Sequence, residues 1–222
     1  MRIVTEKNSV CFIKDFFPPH ILCGFTKRDI FKLTQFEDIL RRIFSLKSLE
    51  FAYLIQTHSP EIVYINKQGL YKADGLFTSR SNLVLVVKTA DCLPLYFSSS
   101  HTIGILHLGW RGALRGILDN VKGDLRDFKV CSGVGLRSCC YQVGEEFLGF
   151  DKFRKFLVRK GERLYFSPVE FVQKELERKG FIFENFLDLE ICSFCNREFY
   201  SWRREKTTRR TFSFIFKYDL RY

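Results

Sequence analysis

The chain has 222 residues, 46% hydrophobic and 27% charged, with a formal net charge of +11. That length can bury one sizeable core, and no apolar run is long enough to span a bilayer as a helix. The surplus of positive charge points to anionic partners, but Lys and Arg are spread among glutamates over 152–179, the pattern of a solvated surface, and only WRREKTTRR at 202–210 is dense.

In chain order, the opening MRIVTEKNSVCFIKDFF carries a charge every few residues and lacks the apolar stretch of a secretion signal, so a cytoplasmic location is expected. β-branched and aromatic runs predict strands at 9–13 and 21–26, and an amphipathic pattern predicts a helix at 36–46. Further strands are expected at 51–57, 61–65, 82–89, 93–97, 102–108 and 129–135, with a helix from about 112 to 126 between the last two. A helix at 168–179 follows, with Pro168 in its first turn and Gly180 just past its end, and the last strand is at 210–217. There is no internal repeat or linker. The expectation is one domain over residues 1–222, α+β, with a mixed β-sheet core flanked by helices. The 25 phenylalanines are expected to fill that core.

Histidine is scarce, at 20, 58, 101 and 107 only. His58 follows a strand, in QTHSP; Cys92 separates two strands, in TADCLP; His107 ends another, in HLGWRG. Two imidazoles and a thiolate at converging strand ends would make a three-ligand zinc site with one position open, the catalytic pattern. Two other readings compete on the residues alone: Cys92 as a nucleophile with His107 as its base, and Cys92 as a small buried thiol. Arg111 and Gly112 lie where the predicted helix starts, a place suited to phosphate or carboxylate. Asp91 and Asp74 are candidate acid/base groups, although Asp in such positions more often bonds turn N–H groups. His101 reads as a turn residue. Of the eight cysteines, the pair Cys139–Cys140 and the CSFC of Cys192 and Cys195 read as structural thiols rather than a second metal site.

Several segments in order, CGFTKR (23–28), QTH (56–58), ADGLFT (73–78), TADCLPLYF (89–97), HLGWRG (107–112), CCYQVGEEF (139–147), ICSFC (191–195) and FYSWRRE (199–205), resemble the YfiH-like family. That family was formerly labelled multicopper polyphenol oxidase or laccase-domain and is now described as purine nucleoside phosphorylase with adenosine deaminase activity. The resemblance implies a fold distantly like the catalytic domain of cytotoxic necrotizing factor toxins, and Zn2+ held by His58, Cys92 and His107. It implies purine nucleosides and phosphate as substrates, in a monomer or homodimer, with no membrane or nucleic-acid partner. Arg28, Arg111 and Gly112 would then contact substrate or phosphate, with Cys92, Asp91 and Arg111 in the catalytic machinery. A Cys–His hydrolase and a basic nucleic-acid binder are the alternatives. A laccase is excluded by donor count, because four histidines and a lone Met1 cannot build a blue-copper centre plus a trinuclear cluster. The chain departs from the family after Arg28, where TKRDIFKLTQFEDIL runs straight into a helix, at Ser59, where glycine is usual, and in the aromatic LYFSPVEFVQ (164–173).

Overall fold

The structure, a computed structural model, describes residues 4–46 and 48–218. The chain opens with β1 (Val4–Lys7), β2 (Val10–Ile13) and β3 (Ile21–Thr26), then helix α1 (Leu33–Phe44). Next come β4 (Glu50–Ile55), β5 (Ile62–Tyr64), β6 (Gly69–Lys72), β7 (Gly75–Thr78), β8 (Leu83–Thr89), β9 (Leu93–Ser98) and β10 (Ile103–Leu108). Helix α2 (Trp110–Leu114), β11 (Lys129–Ser132), β12 (Gln142–Val143), α3 (Asp151–Arg154), β13 (Leu157–Lys160) and β14 (Arg163–Phe166) follow. The chain closes with α4 (Pro168–Arg178), β15 (Phe186–Asp188), α5 (Trp202–Glu205) and β16 (Thr211–Lys217).

Two mixed sheets make the α+β body. One has the order β1-β2-β3-β16-β8-β4-β6, the other β15-β11-β9-β10-β7-β5, and a small sheet β12-β14-β13 stands apart. Strand alternation explains how they stack, because successive side chains point to opposite faces. Along β8, Leu83, Leu85 and Val87 face the second sheet with Ile215 of β16 and Ile103 and Ile105 of β10. The other faces of the same strands, Val84, Val86, Phe212, Phe214 and Phe216, pack with Phe36 and Leu40 of α1. The second sheet turns Leu93, Leu95, Phe97, Leu106 and Leu108 outward against Phe153, Phe171, Val172 and Leu176. Four layers result: α1, sheet, sheet, and helices α2, α3 and α4. Many of the phenylalanines do lie in these cores.

The strands expected at 21–26, 82–89, 93–97, 102–108 and 210–217 form within a residue or so of those limits, and α4 begins with Pro168 at its first position. Two expectations fail. The helix from 112 to 126 is five residues long, begins at Trp110, and gives way to 3₁₀ turns at 117–120 and 125–127. Gly116 ends it with φ +83, a left-handed turn that glycine adopts without strain. The strand at 129–135 stops at Ser132, where Gly133 turns to donate its N–H to the Pro94 carbonyl.

Candidate metal centre and its cleft

The pleat that builds the core also aims the site. Cys92 and His107 have the same parity as Tyr96 on β9 and Ile105 on β10, so both belong to the inter-sheet face. The register pairs His107 with Pro94 and Leu108 with Leu93, which brings the residue before β9 next to the residue after β10. β10 also pairs with β7, Leu106 against Gly75, and His107 N–H donates to the Asp74 carbonyl. Asp74 thus sits beside His107 as a consequence of strand register.

His58 arrives from the turn after β4. Gln56 anchors that turn to β8, its amide donating to the Lys88 carbonyl at 2.8 Å and accepting from Lys88 N–H at 2.9 Å. The N–H groups of Thr57, His58 and Ser59 then wrap the fully buried Asp74 carboxylate at 3.1, 3.0 and 2.7 Å, and the Ser59 hydroxyl donates to it at 2.9 Å. The Ser59 hydroxyl therefore adds a side-chain hydrogen bond to the three backbone ones on Asp74. His58 takes a left-handed φ of 57, an uncommon conformation for this residue that those bonds hold in place.

The ligand atoms of His58, Cys92 and His107 converge, all within 4.8 Å of one another. Cys92 Sγ lies 3.6 Å from His58 Nε2. His107 Nδ1 is 2.7 Å from Asp74 Oδ1, which leaves Nε2 for the site. A carboxylate behind a histidine fixes its tautomer and raises its basicity. Tetrahedral zinc with Zn–N near 2.0 Å and Zn–S near 2.3 Å needs donor separations of roughly 3.2–3.8 Å, so small shifts would seat the ion. Gly109 makes this convergence possible. A Cβ there would lie 2.5 Å from His58 Cδ2 and 3.3 Å from Cys92 Sγ. At Gly112 a Cβ would come within 2.9 Å of the Ser59 carbonyl, so this glycine lets α2 pack on the His58 turn.

The electrostatics favour a charged thiolate. Burial alone would raise the Cys92 thiol, but the charge of His107 and hydrogen bonds from His107 and His58 pull it below its ordinary value. Burial would likewise lower His107, yet the Cys92 thiolate and Asp74 raise it. Burial opposes ionisation of Asp74 as well, and bonds from His107 and Ser59 outweigh it, holding the carboxyl below the usual range. The donor set, two imidazoles and one thiolate, fits a divalent transition metal.

Beside the trio opens a small cleft lined by Asp91, Leu93, Gly109, Trp110, Tyr141 and Phe166. Trp110 stacks on Phe150 at 5.9 Å, and the Arg111 guanidinium lies 5.1 Å from the Trp110 ring centroid. Phe166, buried in the core behind it, forms part of this wall. Asp91 is held rather than free: it accepts from Ser193 Oγ at 2.9 Å and from Arg203 N–H at 2.6 Å.

Arg28 lies on a different set of partners. Its guanidinium donates to Glu205 at 2.8 Å and to the Arg197 carbonyl at 3.1 Å, and covers the Tyr200 ring. The helix-start anion site reduces to Arg111 and local N–H groups, because α2 is too short to carry a useful dipole. The dense basic run is largely spent internally. Arg204 donates to the carbonyls of Ser193, Phe194 and Phe199, and Arg203 to that of Gln142. His101 is exposed in the turn before β10. Sequence reasoning undervalued Asp74 and missed Gln56 and Gly109; the ADG and HxG patterns mark two of them, but only strand pairing shows what they touch.

Residues 30–217 match the family described as multi-copper polyphenol oxidoreductase laccase. The chain belongs to this family. Relatives named purine nucleoside phosphorylase include one from Aquifex aeolicus, 31% identical over 70% of this chain and 77% of its own length. Another, from Campylobacter jejuni, is 30% identical over 90% of this chain and 92% of its own. The fold matches the Bacillus licheniformis protein YfiH at a TM-score of 0.85, with 22% identity over 98% of this chain and 100% of the other. It matches YlmD from Geobacillus stearothermophilus at 0.83, with 19% identity over 98% and 99%. The laccase in the family's description does not transfer to the donors present, which number two imidazoles and one thiolate at this site. Among the described residues, no helix is long and apolar enough to cross a membrane.

Proposed function

We propose that this chain is a zinc-dependent purine nucleoside phosphorylase. Adenosine, inosine, guanosine or methylthioadenosine would react with phosphate to give free base and the corresponding ribose 1-phosphate. The observation that carries this reading is the convergence of His58, Cys92 and His107 beside an aromatic-walled cleft; the names of the relatives supply the substrate class. Zinc held by these three residues would supply Lewis-acid stabilisation of developing negative charge.

The chain's own groups divide the remaining work. Trp110 and Tyr141, half-buried at the cleft, offer aromatic surface to a purine, whose stacking on aromatic side chains is favourable for every base. Arg111, exposed and lying against the Trp110 ring, is the cation nearest the cleft to meet phosphate, with the nearby N–H of Gly112. Asp74 acts through His107 and the His58 turn, holding both donors in place. Asp91 fixes the wall opposite Ser193. Arg28 reaches the cleft only through α5, by way of Glu205, so it supports the wall rather than the phosphate.

The deciding experiment is chromatography of adenosine and of inosine incubated with the protein, with and without phosphate. Adenine released only in the presence of phosphate supports phosphorolysis. Inosine formed from adenosine adds deamination at the same site. If neither appears, and the Cys92→Ala protein behaves like wild type, the reading is wrong. One observation favours a second reading, a Cys–His hydrolase: the Cys92 thiol is drawn towards thiolate by His107. Purified protein devoid of zinc, with Cys92 rapidly alkylated, would select that reading.

A further inference from the structure

Outside the trio, a second group of thiols has no part in the proposed chemistry. Cys139 and Cys140 lie on the turn that Arg137 opens, with the N–H groups of Cys140 and Tyr141 both donating to the Arg137 carbonyl at 2.9 Å. Cys192 and Cys195 lie on a second turn, closed by Asn196 N–H to the Cys192 carbonyl at 3.0 Å. The two turns are joined by a bridge between Gly135 and Cys192, and by Ser193 N–H donating to the Gly135 carbonyl at 3.1 Å. All four sulfurs converge within 4.8 Å of one another.

We infer that Cys139, Cys140, Cys192 and Cys195 form a tetrathiolate zinc site that fastens the wall of the cleft. The spacing favours one ion. Four thiolates at about 2.3 Å from zinc in a tetrahedron stand roughly 3.8 Å apart, and the Cys139–Cys195 and Cys140–Cys195 separations are 3.8 and 3.2 Å. Disulfides would consume the sulfurs in pairs and draw each pair to about 2.05 Å. Neither need brings four sulfurs to one point, whereas Cys₄ coordination does. The same compactness argues against an iron–sulfur cluster, whose thiolates are spread over several irons.

The surroundings are prepared for charge. Four thiolates on a divalent ion leave a net charge of −2. Cations stand on the carbonyls of both turns: Arg204 on Ser193 and Phe194, Arg137 on Gly135 and Leu136, and Lys160 on Ser138. Cys139 and Cys195 are exposed, which gives the ion a route in.

The placement gives the ion a purpose. Ser193, between Cys192 and Cys195, donates to Asp91, the neighbour of Cys92. Tyr141, which follows Cys140, lines the cleft. One ion would tie both to a common point on otherwise irregular chain, independently of what the cleft binds.

The test separates the two metals by removing the first. In the purified Cys92→Ser/His107→Ala protein, plasma mass spectrometry should find about one zinc per chain, and X-ray absorption should show four sulfurs near 2.3 Å. Adding Cys192→Ser and Cys195→Ser should reduce bound zinc to near zero. Wild-type protein should hold about two zinc ions with sulfur-dominated average coordination, a readout that survives if the variants fail to fold. The proposal is overturned by a trio-deficient protein that folds without zinc or retains iron instead. It is equally overturned by nitrogen–oxygen coordination, or by intact mass showing a disulfide among the four. None of these results bears on whether nucleosides are cleaved.

Discussion

Asp74 Oδ1 stands 2.7 Å from His107 Nδ1, with both side chains buried. The same carboxylate gathers three consecutive N–H groups of the turn that carries His58. One residue therefore aims two of the three metal donors. Asp74→Asn cannot satisfy this set, because its amide nitrogen must face either His107 or an N–H donor. Metal affinity should fall about 10–100-fold, read by competition with a chromophoric chelator. Stability should fall by about 1–3 kcal/mol. The pH signature has a definite sign. With the native carboxyl held below its ordinary value, Asp74 stabilises fully above about pH 4 and ceases to as pH falls through its lower native value. Acid unfolding of Asp74→Asn should consequently depend less on pH across that range, while an unchanged acid limb would remove Asp74 from this role.

Gly109→Ala tests the approach of α2 to the donors. The added methyl would meet His58 Cδ2 at 2.5 Å, a ring edge fixed by the Asp74 turn. Relief requires the imidazole or β10 to shift. The expected outcome is a folded protein, destabilised by about 1–3 kcal/mol, with most of its trio zinc and activity lost. Retention of the trio's zinc at wild-type affinity would show that the donors tolerate the shift.

The sequence already shows the trio's chemistry: scarce histidines at strand ends, and a cysteine between two apolar strands. It also shows the central strands, since LVLVVKT and TFSFIFK are long apolar runs buried on both faces. Some of the missed strands are of another kind, whereas GLFT at 75–78 is buried but only four residues long. GLYK at 69–72 and LVRK at 157–160 are mostly exposed edge segments without a core-facing run, so alternation is too weak to mark them. Helix 112–126 misled because Leu114, Ile117, Leu118 and Val121 keep a helical spacing, yet Gly116 breaks the backbone between them. Asp74's role depends on the β7–β10 register, which no local pattern encodes. The convergence of Cys139 and Cys140 with Cys192 and Cys195 has the same origin: two turns some 50 residues apart, joined by a single bridge.

Thiol reactivity provides a third prediction. In metal-stripped protein, Cys92 should react with iodoacetamide at a pH where ordinary thiols are still protonated, because His107 and His58 favour its thiolate. Cys23 and Cys131, pushed upward by burial, should stay unmodified. His107→Ala should move the Cys92 profile to higher pH. Zinc should protect Cys92 fully, and peptide mass mapping after timed alkylation reads each case. Equal labelling of Cys92 and Cys131 would contradict the charge arrangement.

Trp110 is the aromatic face next to Gly109, stacked on Phe150 and covered by Arg111. If a purine stacks there, Trp110→Ala should raise KM about 5–150-fold, the equivalent of about 1–3 kcal/mol, with a smaller change in kcat. A KM unchanged for every nucleoside would place the base elsewhere.

Asp91 decides between proton transfer and positioning. Its two oxygens accept from Ser193 Oγ and Arg203 N–H, and its backbone takes a φ of 96 that ordinary residues avoid. These bonds tie the residue before Cys92 to α5 and to the turn holding Cys192. One hydrogen bond on each oxygen fixes the carboxylate's orientation towards Ser193 and α5, the arrangement of a positioning group. Asp91→Asn retains one acceptor and loses charge, so it should lower thermal stability and reduce kcat about tenfold or less, while the shape of the pH profile for kcat/KM stays the same. Asp91→Ala should be worse in both respects, since it leaves Ser193 Oγ and the Arg203 N–H unpaired. Loss of one limb of the pH profile in Asp91→Asn, at unchanged stability, would make Asp91 the general acid or base instead.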